Sequence, residues 1–336
     1  MKQNLFTAPG PVLDEKGRPI PGYSTKSVRT FERKAIKSSP FRIKEWDFYQ
    51  VSDKEKCLQF TYGHTSYVGQ VGIMFFDFKK GEWIANFDTL IPLPFGKLGM
   101  PEDAEKDHIL KWDKDGIFME FEVKGDVRVL RCSSPKNNFE TEITLTRENP
   151  ECIVINIPFD EKPTQFYYNH KINCMRAKGK ATVNGVDYVF DPADSFGLLD
   201  WGRGVWPFSN DWFWSNGTGE LNGEVFGFNL GCGFGNVDAA TENIVFWQGK
   251  SHKLGKVSIV HQEDWLKPWV LKDEEGRLEL TMYPDFDRTT KIKIAFIDNC
   301  CHQVFGRFKG WVVLDDGTKL DIDNIWAFAE HAVNNW

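Results

Sequence analysis

The segment from Asp200 to Asn216 places acidic, basic and aromatic side chains within a short stretch of chain. It reads DWGRGVWPFSNDWFWSN and contains four of the thirteen tryptophans of the protein. A tryptophan side chain is large and costly to expose, so a cluster of them beside charged groups favours a lined pocket. We therefore expect the functional site to include this segment.

Asp200 and Arg203 are three residues apart in this segment. On an irregular turn both side chains could point into one cavity, where Arg203 would orient a substrate oxygen and Asp200 would donate or accept a proton. In the alternative interpretation Arg203 lies over Trp201 or Trp206 in a cation–π contact, with Asp200 as its ion-pair partner. Both residues would then be structural.

A further candidate acid is Glu242, which precedes the apolar run IVFW. A buried carboxyl group at the start of a strand would have a raised pKa and would suit a general acid. Alternatively, Glu242 satisfies backbone groups where the strand begins. Asp211 could be a second carboxylate, although an aspartate in a polar turn more often caps backbone groups. The candidate catalytic residues are Asp200, Arg203 and Glu242.

Aromatic side chains of the same region could form the wall of an apolar cavity, and His302 could transfer protons near neutral pH. The candidate ligand-binding residues are Trp201, Trp206, Trp212, Trp214, Phe226, Phe228 and His302. The seven cysteines lack the close-paired spacing of a zinc site, and no nucleotide-binding or metalloprotease motif occurs. We expect neither a metal nor a cofactor.

Composition limits the classes of protein and partner. With 336 residues, 41% hydrophobic and 15% aromatic, the chain can bury a large core or two linked cores. A net charge of -7 without a basic stripe disfavours nucleic acid as a partner and leaves a small molecule. The scattered cysteines, the lack of an apolar signal segment and the lack of a long apolar run predict a cytoplasmic protein with no membrane span.

The pattern of the sequence predicts β-strands joined by tight turns. Turn pairs at Asp115-Gly116, Asn184-Gly185, Asn222-Gly223 and Asp316-Gly317 separate runs in which apolar and polar residues alternate. Helical periodicity is weak, and Pro101–Leu110 is the best helical candidate. Strands separated by turns imply antiparallel sheets, which protect their edges by closing into barrels or strongly curved sandwiches.

A break in the alternating pattern predicts a domain boundary near Lys162. The stretch NIPFDEKPT, residues 156–164, contains two prolines and three charged residues. We expect an N-terminal β domain with an irregular leading segment over residues 1–161. A C-terminal β domain over residues 162–336 would then carry the DWGRGVW motif.

Several separated motifs resemble the family called domain of unknown function 2804. They are LDWGRGVW (199–206), GFNLG (227–231), TEN (241–243), GKSHKL (249–254) and FGRFKG (305–310). A more distant similarity is to lipocalin-like proteins built from two β-barrel halves, including carotenoid hydratases and certain cyclases. The resemblance implies an all-β fold of two lipocalin-like antiparallel barrels or strongly curved sandwiches, but it transfers no catalytic residue.

Two functions fit these observations. The first is binding of a small hydrophobic molecule, such as an isoprenoid, a lipid or a polyketide-like compound, in a β-barrel cavity. The alternative is a cofactor-independent hydratase, dehydratase or cyclase acting on such a molecule. Asp200 or Glu242 would be the proton donor in that enzyme, and Arg203 would anchor the substrate.

Overall fold

Antiparallel strands make up most of the protein. A computed structural model describes residues 2–294 and 297–336. The strands are β1 (Gly10–Pro11), β2 (Gly22–Ser24), β3 (Arg29–Thr30), β4 (Ile43–Ser52), β5 (Lys56–His64), β6 (Val68–Asp77), β7 (Glu82–Pro92), β8 (His108–Lys114), β9 (Ile117–Lys124), β10 (Val127–Ser134), β11 (Phe139–Arg147), β12 (Ile153–Pro158), β13 (Phe166–Val183), β14 (Val186–Phe190), β15 (Phe196–Val205), β16 (Ser209–Leu221), β17 (Glu224–Cys232), β18 (Ile244–Trp247), β19 (Lys250–Lys253), β20 (Val257–Val260), β21 (Trp269–Asp273), β22 (Leu278–Ile294), β23 (Ile297–Val313) and β24 (Lys319–Asn335). The described residues also contain three short 3-10 helices, Arg33–Ala35, Pro40–Arg42 and Pro135–Asn137.

Apart from β1 and β3, which pair with each other in parallel, the strands form two large curved sheets. The first has thirteen strands, in the order β7-β6-β5-β4-β15-β13-β11-β10-β9-β8 with β2, β12 and β14 attached. The second has nine strands, in the order β19-β18-β17-β16-β24-β23-β22-β21-β20. This confirms the predicted all-β class and its two strongly curved antiparallel sheets. No helix in the described part of the chain is long and apolar enough to cross a membrane.

The predicted turn pairs join consecutive strands. Asp115-Gly116 connects β8 to β9, Asn184-Gly185 connects β13 to β14, and Asn222-Gly223 connects β16 to β17. All six of these residues have positive φ, between 51° and 80°. Asp316-Gly317 lies in a longer turn between β23 and β24, where Gly317 has φ of 86°. Turn chemistry was therefore a reliable signal for these hairpins.

The helix predicted over Pro101–Leu110 is wrong, because this segment is irregular and its last three residues belong to β8. The Asp103 side chain accepts hydrogen bonds from the backbone N–H groups of Glu105 and Lys106, at 2.8 and 3.1 Å, which forms a local turn. Leu110 is then buried by strand alternation rather than on a helical face.

The chain crosses from the first sheet to the second between Val205 and Ser209. Lys162, where the sequence predicts a domain boundary, lies between β12 and β13, which pair with each other in the first sheet. The prolines around Lys162 therefore mark a return between paired strands. The first sheet takes strands from both of the predicted segments.

Each sheet has an apolar face and a face that packs on the other sheet. On β15, Trp201 belongs to the first core, and on β17, Phe228 belongs to the second core. Their neighbours Asp200 and Asn229 point the opposite way, because successive side chains of a strand alternate. Contacts such as that between Phe76 and Phe305, with ring centroids 5.3 Å apart, join the two sheets. The candidate acid Asp200 thus faces this inter-sheet layer.

Gly310 occupies a position where β23 cannot accept a side chain. Its φ is 146°, and a Cβ atom there would lie 2.0 Å from the carbonyl oxygen of Glu279. We expect Gly310→Ala to lower the free energy of unfolding by about 1–3 kcal/mol, measured by urea denaturation.

The matched control is Gly255→Ala, where the nearest atom to the added Cβ is 3.3 Å away on a side chain. Equal unfolding midpoints for the two variants would contradict the steric argument.

Candidate functional site

One lysine links two carboxylates between the sheets. The Nζ atom of Lys171, on β13, lies 2.9 Å from Oδ1 of Asp200 and 3.4 Å from Oε2 of Glu242. Asp200 belongs to the first sheet, whereas Glu242 precedes β18 of the second sheet. All three side chains are largely buried, with exposures of 3%, 11% and 14%. The two predicted acids therefore meet at one ammonium group.

Two asparagines orient the carboxylates. Asn169 donates through Nδ2 to Oδ1 of Asp200 at 2.6 Å and to the carbonyl of Trp201 at 3.0 Å. Asn229 donates through Nδ2 to Oε2 of Glu242 at 3.0 Å. Within residues 2–294 and 297–336, the side-chain hydrogen bonds to the two carboxylates are all accepted by Oδ1 of Asp200 or Oε2 of Glu242. Oδ2 of Asp200 and Oε1 of Glu242 accept none of these hydrogen bonds, and Oε1 packs against Gly231.

Trp214 forms an aromatic wall at the lysine. The Nζ atom of Lys171 lies 4.3 Å from the centroid of this ring, a distance typical of a cation–π contact. Trp214 donates through Nε1 to Oδ1 of Asn229 at 2.7 Å, and Asn216 donates to the same oxygen at 3.0 Å. Asn216 lies within β16, and its side chain faces this layer. The charged groups are enclosed by oriented side chains.

A third carboxyl group, on Glu330, was missed by the sequence analysis. Trp212 donates through Nε1 to Oε1 of Glu330 at 3.2 Å, and Nη2 of Arg288 lies 4.0 Å from Oε2. Burial raises the pKa of Glu330, and the charge of Asp200 adds to this effect. The only sequence signal was a glutamate in the alternating run WAFAEHAV of β24.

The buried carboxylates of this layer shift the pKa values of neighbouring side chains. Burial by itself would lower the pKa of Lys171, but the carboxylates of Asp200 and Glu242 outweigh it and the net shift is upward. Burial raises the pKa of Tyr167, and the charges of Asp200, Glu242 and Glu330 raise it further. The three carboxylates therefore act on one another and on Tyr167 within a region of low dielectric constant.

Arg203 lies on the other face of β15 from Asp200. It donates through Nη2 to Oδ1 of Asp47 at 2.8 Å and through Nη1 to the carbonyl of Trp46 at 2.7 Å. Its guanidinium carbon is 3.8 Å from the centroid of Trp201. The predicted cation–π contact with Trp201 is present, but the ion-pair partner is Asp47. A shared cavity for Asp200 and Arg203 is excluded, because residues three apart on a regular strand face opposite sides.

The predicted ligand-binding aromatic residues are spread over several environments. Trp201 is in the core of the first sheet, and Phe226 and Phe228 are in the core of the second. Trp206 packs in a cluster that joins the sheets, with its ring centroid 5.5 Å from that of Phe234. These four predicted residues therefore serve in three separate packed clusters.

The other predicted ligand-binding residues divide between two places. Trp212 and Trp214 lie in the inter-sheet layer beside the carboxylates. His302 is on the second-core face, where its Nδ1 lies 2.8 Å from Oδ2 of Asp287 and its ring stacks on Trp265. The structure thus brings Trp212 and Trp214 to the candidate acids and separates His302 from them.

Two cavities lie along the junction of the sheets. One of about 20 Å³ is lined by residues of both sheets, including Gln50, Leu198 and Asn216, and is large enough for a single water molecule. The other, of about 300 Å³, is lined in part by Val225 and Trp247. Neither is lined by the seven predicted ligand-binding residues. Asn216 connects the smaller cavity to the carboxylate cluster through Asn229.

A separate group, Glu105, Cys152 and His170, has the donor types of a metal site, and its donor atoms lie within 4.8 Å of one another. However, the Glu105 carboxylate pairs with Arg147. The Cys152 thiol donates to the carbonyl of Thr25 at 3.3 Å. Burial raises the pKa of the Cys152 thiol and lowers the pKa of His170 to about 4. A protonated thiol and a neighbouring guanidinium disfavour a bound cation.

Comparison with known proteins establishes the family and the fold. The family model for domain of unknown function 2804 matches residues 3–336, and no curated protein matches the sequence. CghA bound to Sch210972 superimposes with a TM-score of 0.59 at 12% identity, over 95% of this chain and 96% of CghA.

Two further solved structures share the fold. A protein assigned as AttH from Nitrosomonas europaea has a TM-score of 0.56 at 13% identity, over 87% of this chain and 92% of AttH. Kievitone hydratase from Nectria haematococca has a TM-score of 0.52 at 10% identity, over 87% of this chain and 89% of the hydratase. These similarities confirm the predicted lipocalin-like fold of two curved sheets, and at such identities they establish the fold alone.

We expect Arg203 to stabilise the folded protein. Arg203→Met leaves the buried Asp47 carboxylate without its charged partner, so we expect the free energy of unfolding to fall by about 3–5 kcal/mol in urea denaturation.

Arg307→Met is the control, because the Arg307 pair with Asp285 is largely exposed, at 52% and 35%. It should cost about 1 kcal/mol or less. Similar losses for the two variants would show that Arg203 has no special structural role.

Proposed function

The chain belongs to the family called domain of unknown function 2804, and we propose that it adds water to, removes water from, or closes a ring in a small, largely apolar molecule held between its two sheets. Asp200 and Glu242 exchange protons with the substrate, and Lys171 orients both. The observation that carries this proposal is the pair of buried carboxylates, one from each sheet, on a single lysine.

Two carboxyl groups suit this chemistry because elimination of water needs a base and an acid. The base takes a proton from carbon, the C–O bond breaks, and the acid gives its proton to the departing oxygen. Asp200 and Glu242 both contact one ammonium group, so one of them is proposed as the base and the other as the acid. Addition of water is the reverse of these steps.

Lys171 acts as a fixed positive charge. Its raised pKa keeps the ammonium group charged near neutral pH, so Lys171 is not the base. In a buried layer, such a charge stabilises negative charge that develops on a substrate oxygen. Trp214 holds the cation in place from one side. Lys171 is therefore proposed as the electrostatic partner of the two acids.

The surroundings of the cluster favour an apolar substrate that bears oxygen. Phe48, Leu198, Phe305 and Phe328 belong to the apolar cluster that joins the sheets beside Trp214. Among the proteins with this fold, one is a kievitone hydratase and another is bound to the small molecule Sch210972. These fold relatives support small-molecule chemistry here by analogy.

Binding without turnover is the second candidate function. The cavity of about 300 Å³ at the junction of the sheets, walled in part by Val225, Phe246 and Trp247, favours it. Its volume is at the lower end of the range for small-molecule pockets. An isoprenoid, a lipid or a polyketide-like molecule would place an apolar portion there.

For the catalytic function, kievitone in ¹⁸O-labelled water is the first probe, with products analysed by mass spectrometry. Asp200→Asn and Glu242→Gln keep side-chain shape and lose acidity. We expect each to reduce turnover at least about 100-fold, because general acid–base catalysis contributes factors of this size.

Asp285→Asn, which changes a carboxylate outside the inter-sheet layer, is the control and should retain full rate. Thermal unfolding of each variant checks that the fold is intact. Wild-type turnover by Asp200→Asn or Glu242→Gln would remove that residue from the mechanism.

For the binding function, native mass spectrometry of freshly purified protein should show a retained apolar molecule. Val225→Trp fills the cavity of about 300 Å³ and should lower the retained fraction. Val260→Trp, at a position that is 60% exposed, is the matched control. Unchanged occupancy in Val225→Trp would place the ligand elsewhere, and a wild-type protein with no retained molecule would count against a carrier.

A further inference from the structure

Three of the seven histidines meet at one end of the second core. His302 and His331 are directly opposite each other on β23 and β24. His261 follows β20, in the connection to β21, and its Nε2 lies 3.3 Å from Nδ1 of His331. Phe213 stacks on His331 with centroids 4.1 Å apart and packs against the second core. The cluster therefore lies on the opposite face of this sheet from the carboxylate layer.

The outer nitrogens of His261 and His331 both face groups that only accept hydrogen bonds. Nδ1 of His261 lies 2.5 Å from the carbonyl oxygen of Gln262. Nε2 of His331 lies 2.8 Å from Oδ1 of Asp211. A carbonyl and a carboxylate cannot donate, so each of these ring nitrogens carries a proton.

The contact between the two rings then requires one more proton. If both imidazoles were neutral, Nε2 of His261 and Nδ1 of His331 would present lone pairs to each other at 3.3 Å. A hydrogen bond forms there only when one ring is an imidazolium. Burial lowers the pKa of His261, and the charges of His331 and His302 lower it further. Because the Asp211 carboxylate lies against His331 and not against His261, the cation is assigned to His331.

His261 also organises the connection between β20 and β21 through stacking. Its ring contacts both Trp265 and Trp269, with centroid distances of 4.3 and 4.4 Å. Trp265 in turn stacks on His302 at 3.9 Å, with the two planes 7° apart. Loss of the hydrogen bond between His261 and His331 would remove one of the contacts that hold this stack in place.

We propose that His261 and His331 form a proton-dependent latch that holds the connection of residues 261–268 over the end of the second core. With the shared proton present, His331 donates to His261 and the latch is closed. When the proton leaves to solvent, the two lone pairs repel each other and the contact opens. The latch is thus closed at lower pH and opens as pH rises through the midpoint of the pair.

Other titratable groups face the pair from the neighbouring strands. Asp211 comes from β16, and its anionic charge favours the proton on His331. The Cys232 thiol on β17 has its pKa raised to about 11, first by burial, and stays neutral over the relevant range. His302 and Asp287 form a separate unit, with Nδ1 of His302 2.8 Å from Oδ2 of the carboxylate. Any test must separate that unit from the latch.

The test is a ¹⁵N NMR titration of the histidine rings in the full chain, from about pH 5 to about pH 8, the range in which histidines change charge. We expect His261 and His331 to share one midpoint. The indole resonances of Trp265 and Trp269 should shift with that midpoint as the stack loosens. Independent midpoints, or indole resonances that do not follow, would overturn the latch.

Variants assign the signals and test the cause. Asp211→Asn should lower the shared midpoint by about one pH unit, because an anion beside His331 is lost. His302→Gln removes a charge that lowers the pKa of His261, so the shared midpoint should rise while His261 and His331 still titrate together, which separates the latch from the neighbouring pair. His261→Gln should abolish the coupled shift of the Trp265 indole. Asp285→Asn, whose carboxylate pairs with Arg307, is the control with no expected effect. An unchanged midpoint in Asp211→Asn would refute the assigned proton.

Discussion

The buried ammonium group of Lys171 constrains how the two sheets pack. An ion buried in a protein is costly unless paired and hydrogen-bonded, and removal of one partner is strongly destabilising. Here the partners come from both sides: Asp200 from the first sheet and Glu242 from the second. Any displacement of one sheet against the other would leave a charge unpaired. The same contact that joins the sheets also places two carboxyl groups at one point, so stability and the proposed chemistry depend on one arrangement.

Because successive side chains of a strand alternate, each strand presents different chemical groups on its two faces. On β15, Trp201 and Arg203 face the first core, where Arg203 pairs with Asp47, while Asp200 faces the second sheet. On β24, His331 faces the second core and its neighbour Glu330 faces the carboxylate layer. The carboxylates of Asp200, Glu242 and Glu330 are thus concentrated between the sheets, and the imidazoles of the proposed latch lie on the other face of the second sheet. The proposed latch and the proposed active site are therefore adjacent but chemically separate.

The carboxylate layer is enclosed rather than open. Asparagine side chains and tryptophan N–H groups hold it in place, and the cavity that reaches Asn216 has room for about one water molecule. Preorganised groups in a buried layer are effective in proton transfer because they need little rearrangement during reaction. The enclosure is a property that favours chemistry over simple storage of a ligand.

Local rules in the sequence determined the strand content, the hairpin turns and the family. Turn pairs such as Asn184-Gly185 predict hairpins because few residues tolerate positive φ, and alternation predicts strands because their period is two. The sequence also singled out Asp200 and Glu242, by their unusual neighbours. It could not pair Asp200 with Lys171, because that contact depends on the register of β13 against β15, nor find Glu330, which reaches the layer from the last strand. The sequence likewise left Arg203 open between two roles, and only the regular course of β15 decided which face it occupies. Contacts between residues far apart in the chain are set by the packing of whole sheets, so only the tertiary structure decided which charges share one site.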